Sequence, residues 1–161
     1  MAKYVALIRG VGPGNPNMHS LPLTKFFEEL GFGNVKTVIS SGNVVFESKE
    51  TKTEMLEKLI EKELPKKLNF SRATIVRSED QLKKFIGKNP FDGIPDEKPN
   101  YLLVTFFKDG REELATVLNM NSTSSTKFMA ALDKEYKKEC TTRTWKTVNR
   151  ILNAMKKQTS I

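Results

Sequence analysis

The chain has 161 residues, with 27 Lys and Arg against 19 Asp and Glu for a net charge of +8, and a single cysteine and a single histidine. This composition excludes an intrachain disulfide, a Cys/His zinc site, and any Ser-His-acid or Cys-His catalytic arrangement that does not use His19. With 38% hydrophobic and 29% charged residues, it is that of a globular protein long enough to bury its own core.

Met1-Ala2-Lys3-Tyr4 runs straight into a strand pattern with no apolar leader, so no signal peptide is expected. No stretch approaches the roughly 18 apolar residues of a membrane span. The expected setting is the cytoplasm, without a membrane partner. Tyr4-Val5-Ala6-Leu7-Ile8 is the first strand, ended by Arg9-Gly10. The glycines and prolines of residues 10–17 make a loop, and Ser20 reads as the N-cap of a helix bearing Phe26, Phe27 and Leu30, which Gly31 stops. Val35, Thr37 and Ile39 alternate into a turn at Ser41-Gly42-Asn43, followed by Val44-Val45-Phe46. Met55, Leu56, Leu59 and Ile60 predict a helix over 53–64 closed by Pro65, and Ala73-Thr74-Ile75-Val76 a further strand. The order over residues 3–77 is β-α-β-β-α-β, the ferredoxin-like unit.

Ser78 and Gln81 form a capping-box pattern ahead of Leu82, Phe85 and Ile86. Residues 89–95 are a loop by composition. Tyr101 to Phe107 is the most apolar strand and is expected to be central, after a turn at Asp109-Gly110 comes a short helix marked by Leu114, Val117 and Leu118, and residues 121–126 are a polar loop. Phe128, Met129, Leu132 and Tyr136 mark one helical face, and Trp145, Val148, Leu152 and Met155 the last. The fold class is therefore α+β, with a ferredoxin-like lobe over residues 1–77 and a second, reduced α+β lobe over 78–161.

Several of these segments together resemble the domain-of-unknown-function 1697 family. They are Tyr4-Val5-Ala6-Leu7-Ile8-Arg9-Gly10, Asn17, Glu29-Leu30-Gly31-Phe32, Ser40-Ser41-Gly42-Asn43-Val44-Val45-Phe46, and Thr141-Thr142-Arg143-Thr144-Trp145 with Thr147-Val148. The resemblance spans nearly the whole chain and implies two ferredoxin-like lobes with no established activity. The chain departs from the family pattern at Gly12, where an asparagine is usual. It also departs before Ser125, where a family strand is absent, so the second lobe is expected to lack an edge strand.

Three constellations point to anion binding. Arg9, Gly10 and Asn17 flank a glycine-rich loop leading into a helix start, an arrangement whose amides can hold a phosphate, although it is neither a Walker loop nor G-x-G-x-x-G and equally suits a rigid crossover. Ser41, Gly42 and Asn43 are turn residues that can face the same ligand. Lys127, and Arg143, Trp145, Lys146 and Arg150, combine cations with hydroxyl-capped helix starts in a region, residues 121–161, holding nine basic and three acidic side chains. Trp145 is either a core-rim residue or a base-stacking platform, and Arg143 either a phosphate ligand or an internal clamp. No catalytic residue, cofactor or metal is implied: Glu28 and Glu29 are adjacent and diverge on a helix, and Cys140 has no neighbouring histidine. The leading reading is a non-catalytic binding module for a phosphate-bearing partner, a nucleic acid or nucleotide. The alternatives are an enzyme acting on a small anionic substrate at the Arg9–Asn17 loop, and a structural or interaction protein whose basic face confers solubility.

Overall fold

The computed structural model describes residues 1–39, 41–108, 110–121 and 124–157. Ser40 and Asp109, and Ser122 and Thr123 of the expected polar loop, lie outside the described residues. The first half runs β1 (Ala2–Ile8), a 3-10 turn (Pro16–Met18), α1 (Ser20–Glu29), β2 (Gly33–Thr37), β3 (Asn43–Ser48), α2 (Thr53–Leu68) and β4 (Thr74–Ser78). Its strands form an antiparallel sheet in the order β2-β3-β1-β4. The second half runs α3 (Glu79–Gly87), β5 (Asn100–Phe107), β6 (Leu114–Asn119), α4 (Ser124–Glu135), β7 (Cys140–Thr144) and α5 (Trp145–Lys157). Its sheet has the order β6-β5-β7, again antiparallel, with the apolar β5 in the centre as expected. Among the described residues no helix is long and apolar enough to cross a membrane, and no three His, Cys, Asp or Glu side chains cluster as metal ligands would.

Strand alternation divides the interior into two cores. Tyr4, Ala6 and Ile8 of β1 face α1 and α2, packing with Phe26, Phe27, Phe46, Leu56, Ile60 and Leu64. Val5 and Leu7 face the other way, joining Val45, Ile75, Leu102, Val104, Phe106 and the apolar side of α5. The two halves of the chain therefore share this second core.

Helix α2 has a further task. β4 is an edge strand, and its outward N–H groups at every second residue need acceptors. Thr74 N–H donates to Glu61 Oε2 at 2.8 Å, Val76 N–H to Glu57 Oε2 at 2.9 Å, and Ser78 N–H to Gln81 Oε1 at 2.8 Å. Glu57 and Glu61 are one helical turn apart, which matches two residues of strand. The Gln81 contact is half of the expected capping box, completed by Gln81 N–H donating to Ser78 Oγ.

Four expectations are corrected. His19, not Ser20, is the N-cap of α1, because Leu23 N–H closes the first turn on His19 O, leaving the Ser20 hydroxyl to bond that of Thr37. Pro65 lies inside α2 rather than ending it; the apolar stripe Leu56, Ile60, Leu64 continues past it, and packing that face outweighs one lost helical bond. Leu114, Val117 and Leu118 lie on strand β6, not a helix. β5 needs partners along both sides, and β6 pairs with it from Asn100↔Asn119 to Thr105↔Leu114. Finally, Thr141, Thr142 and Arg143 belong to strand β7; only Thr144 caps a helix, its Oγ1 accepting Thr147 N–H at 3.2 Å.

Candidate functional site

The residues that the sequence marks for a ligand converge, but much of their hydrogen-bonding capacity is spent on one another. Arg143 is 9% exposed. From β7 in the second sheet it reaches the first: Nε donates to Asn43 Oδ1 at 2.6 Å and Nη2 to Ile8 O at 3.0 Å. Nη1 donates to Thr141 Oγ1 at 2.6 Å and to Thr142 O at 3.0 Å. These partners are all neutral, so burial lowers the guanidinium pKa to about 10 without discharging it at pH 7. Asn43 also donates to Val38 O and Ser41 Oγ, pinning the β2–β3 turn. Gly42 completes the turn with φ +79°, and a Cβ there would lie 2.6 Å from Ile8 O, so only glycine fits. Ser41, Gly42, Asn43 and Arg143 thus form a junction between the sheets. Arg143 is not part of an exposed positive patch with Lys146 and Arg150.

Arg9, at the end of β1, makes a parallel tie. Its Nη1 donates to Cys140 O at 2.8 Å and Nη2 pairs with Asp133 at 2.7 Å, and the bond to Asp133 raises its pKa. Beside it opens a cleft of about 660 Å³ lined by Arg9, Gly10, Arg72, Lys108, Lys137 and Lys138, with Glu61 and Glu139 as its acids. The volume is that of a small-molecule site. Arg72 lies against Gly10. Lys108 Nζ bonds both oxygens of Glu61 at 2.6 Å. Lys137 and Lys138 both have left-handed backbones, φ 52° and 62°, a conformation costing roughly 1–2 kcal/mol per residue outside glycine. They sit between α4 and β7 and set two exposed ammonium groups at the cleft.

The other expected residues lie elsewhere. Asn17 is exposed and donates to Leu68 O at 3.4 Å, at the end of α2. Arg9, Asn17 and Asn43 therefore do not enclose one pocket. Lys127 is exposed on α4. Trp145 is half-buried, its ring meeting Phe91 at 5.1 Å and Phe85 at 6.3 Å, which is the rim role. Lys146 and Arg150 are exposed on α5. His19 is exposed, 3.3 Å from Pro13 O. Cys140 is buried, and burial pushes its thiol pKa up. Sequence reasoning missed Arg72, Lys108, Lys137 and Lys138; the consecutive lysines carry no turn signal of the Gly or Asn kind.

Comparison with known proteins agrees with the fold. The model of a family described as protein of unknown function, DUF1697, matches residues 1–136. The conserved bacterial protein SP0830 from Streptococcus pneumoniae has a structure similar to this one, with a TM-score of 0.74 and 22% sequence identity, over 97% of this chain and 99% of that one. No curated protein matches the chain.

Proposed function

The chain belongs to the DUF1697 family of proteins of unknown function, and from the site itself we propose that it is a binding module for a phosphate-bearing molecule of nucleotide size, held in the cleft beside Arg9. One observation carries this reading: among the described residues, five basic side chains line that cleft against two acidic ones. Of the five, Lys108 is engaged by Glu61 and Arg9 by Asp133, so they hold the wall of the cleft in shape. Arg72, Lys137 and Lys138 are exposed and supply the free field. A guanidinium offers a phosphate two parallel N–H donors, while the ammonium groups act as point charges. The reading is of binding rather than turnover, because the acid beside Lys108, Glu61, already accepts from Lys108 and from Thr74 N–H and is not poised as a base.

The test is titration of a fluorescent nucleoside triphosphate at low salt. Replacing Arg72, Lys137 and Lys138 together by alanine is expected to weaken binding at least about tenfold, since each charged hydrogen bond contributes roughly 1.5–3 kcal/mol. The wild-type affinity should fall steeply with added salt. Unchanged affinity in the triple variant would remove the cleft from the site.

A second surface favours nucleic acid. On α5 the residues Lys146, Arg150, Asn153 and Lys157 are exposed, opposite the buried Val148, Ile151, Leu152 and Met155, and the helix holds no acidic residue. This stripe follows one helix face as a row of phosphate contacts requires. Replacing Lys146 and Arg150 by alanine is expected to reduce the salt slope of DNA binding by about two, with the melting temperature nearly unchanged. Equal retention of wild type and variant on a DNA column at low salt argues against this surface.

A further inference from the structure

A second recess of about 290 Å³, sharing Lys108 with the Arg9 cleft, lies between the first turns of α2, helix α3 and the residues around Arg111 that precede β6. Among the described residues, five basic and four acidic side chains line it. Glu57, part of this lining, is only 3% exposed. Its Oε2 takes the Val76 N–H, while no hydrogen bond to Oε1 is made among the described residues. The cations nearest to it are held by other acids, Lys108 by Glu61 at 2.6 Å and Arg77 by Glu113 at 2.8 Å. Glu57 is thus a buried carboxyl with no ion pair of its own among the described residues; Lys108 and Arg77 favour its charged form, and a further positive charge beside Oε1 favours it more. Glu54, one turn earlier on α2, is exposed at the mouth and forms no ion pair among the described residues. On the α3 side stand Lys84, exposed and without an ion pair among the described residues, and Lys88, 3.6 Å from the exposed Glu112.

We propose that this recess binds a small zwitterion, an amino acid or amino-phosphate, with its ammonium on Glu57 and its anionic group between Lys84 and Lys88. A plain anion meets Glu54 and Glu57 at the α2 wall, and a plain amine meets the five cations; a molecule carrying both charges satisfies both walls. The volume sits at the small end of ligand sites. Burial raises the Glu57 pKa to about 7, against the pull of the Val76 N–H, Lys108 and Arg77 and with a push from Glu61. An incoming ammonium then favours the ionised carboxylate, so binding near pH 7 releases part of a proton. The groups sharing this field are Glu54 and Glu61 on α2, Arg77 on β4, Lys84 and Lys88 on α3, and Lys108, Arg111, Glu112 and Glu113 from the second sheet and its connection.

The experiment is calorimetric titration of the full chain with O-phosphoserine, and separately with ethylamine and with inorganic phosphate, in two buffers of different ionisation enthalpy. O-phosphoserine is expected to bind at least about tenfold more tightly than either single-charge probe, with proton release, and Glu57→Gln to lose that advantage. The Gln amide oxygen keeps the Val76 N–H satisfied; should that variant not fold, the exposed Lys84→Ala is expected to weaken O-phosphoserine and leave ethylamine unchanged. In the Arg72, Lys137 and Lys138 alanine variant, whose Arg9 cleft no longer holds phosphate groups, the preference for O-phosphoserine over both single-charge probes is expected to persist, which separates this recess from the Arg9 cleft. Phosphate binding as tightly as O-phosphoserine, an unchanged affinity in Glu57→Gln, or no O-phosphoserine heat at all overturns the proposal.

Discussion

Replacing Arg143 with alanine is expected to lower Tm by about 10 °C, the consequence of losing roughly 3–5 kcal/mol from a domain of this size. The variant removes four hydrogen bonds, two of them to the opposite sheet through Asn43 Oδ1 and Ile8 O. It leaves those buried acceptors unsatisfied and opens a cavity where the guanidinium lay. Lysine does not restore the loss: a single ammonium cannot reach Asn43, Ile8 and Thr141 at once as the planar fork does. Asn43→Ala should cost less, about 1–2 kcal/mol, because one side of the network survives. Because Arg143 does not line the Arg9 cleft, nucleotide affinity below the melting transition should be unchanged in Arg143→Ala. Calorimetric melts of the three variants, with nucleotide titrations at 10 °C, test this. A Tm within 2 °C of wild type for Arg143→Ala would show that the junction contributes little.

Glu57→Gln is expected to change how stability depends on pH. Burial raises the folded pKa of Glu57 from 4.5 to about 7, so the folded chain holds its proton more tightly than the unfolded one. The stabilisation is fully present below about pH 4.5 and is lost as pH rises through about 7. Across that window this one group accounts for up to about 3 kcal/mol. Glutamine does not titrate and retains the acceptor for Val76 N–H, so the difference between variant and wild type should shift in the variant's favour from pH 4.5 to 8. Urea unfolding at several pH values in this range measures it. A difference independent of pH would mean that Glu57 titrates alike in folded and unfolded chains.

Both predictions concern residues whose roles emerge only once distant segments meet. Arg143 and Asn43 are separated by 100 positions, and a buried arginine held by neutral acceptors has the same local sequence as one on a surface. The hydroxyls flanking it read as helix caps because Thr and Ser cap helices, yet Thr141 and Thr142 satisfy strand and guanidinium. The Arg9 cleft draws on residues near positions 9, 72, 108 and 137–138. Of these only Arg9 and Gly10 stood in a recognisable pattern. Glu57 resembles any acid on an amphipathic helix until β4 comes alongside with an N–H to be met.

What sequence alone determined was local. Short apolar runs placed β1, β3, β4 and the central β5, helical spacing placed α1, α2, α3 and α5, and the Ser78–Gln81 capping box marked the start of α3, since these signals act within a few residues of each other. Tertiary structure decided wherever a local preference was weak or opposed. Six residues, Leu114 to Asn119, have apolar spacing compatible with a turn or two of helix, and become a strand because the unpaired side of β5 offers a full ladder. Pro65 opposes a helix by one hydrogen bond, and the buried stripe on α2 overrides it. The ends of the chain are brought together the same way: Arg9 donates to Cys140 O, and Arg143 of β7 donates to Ile8 O of β1. Charges set at that meeting acquire their partners, burial and protonation from neighbours far away in sequence.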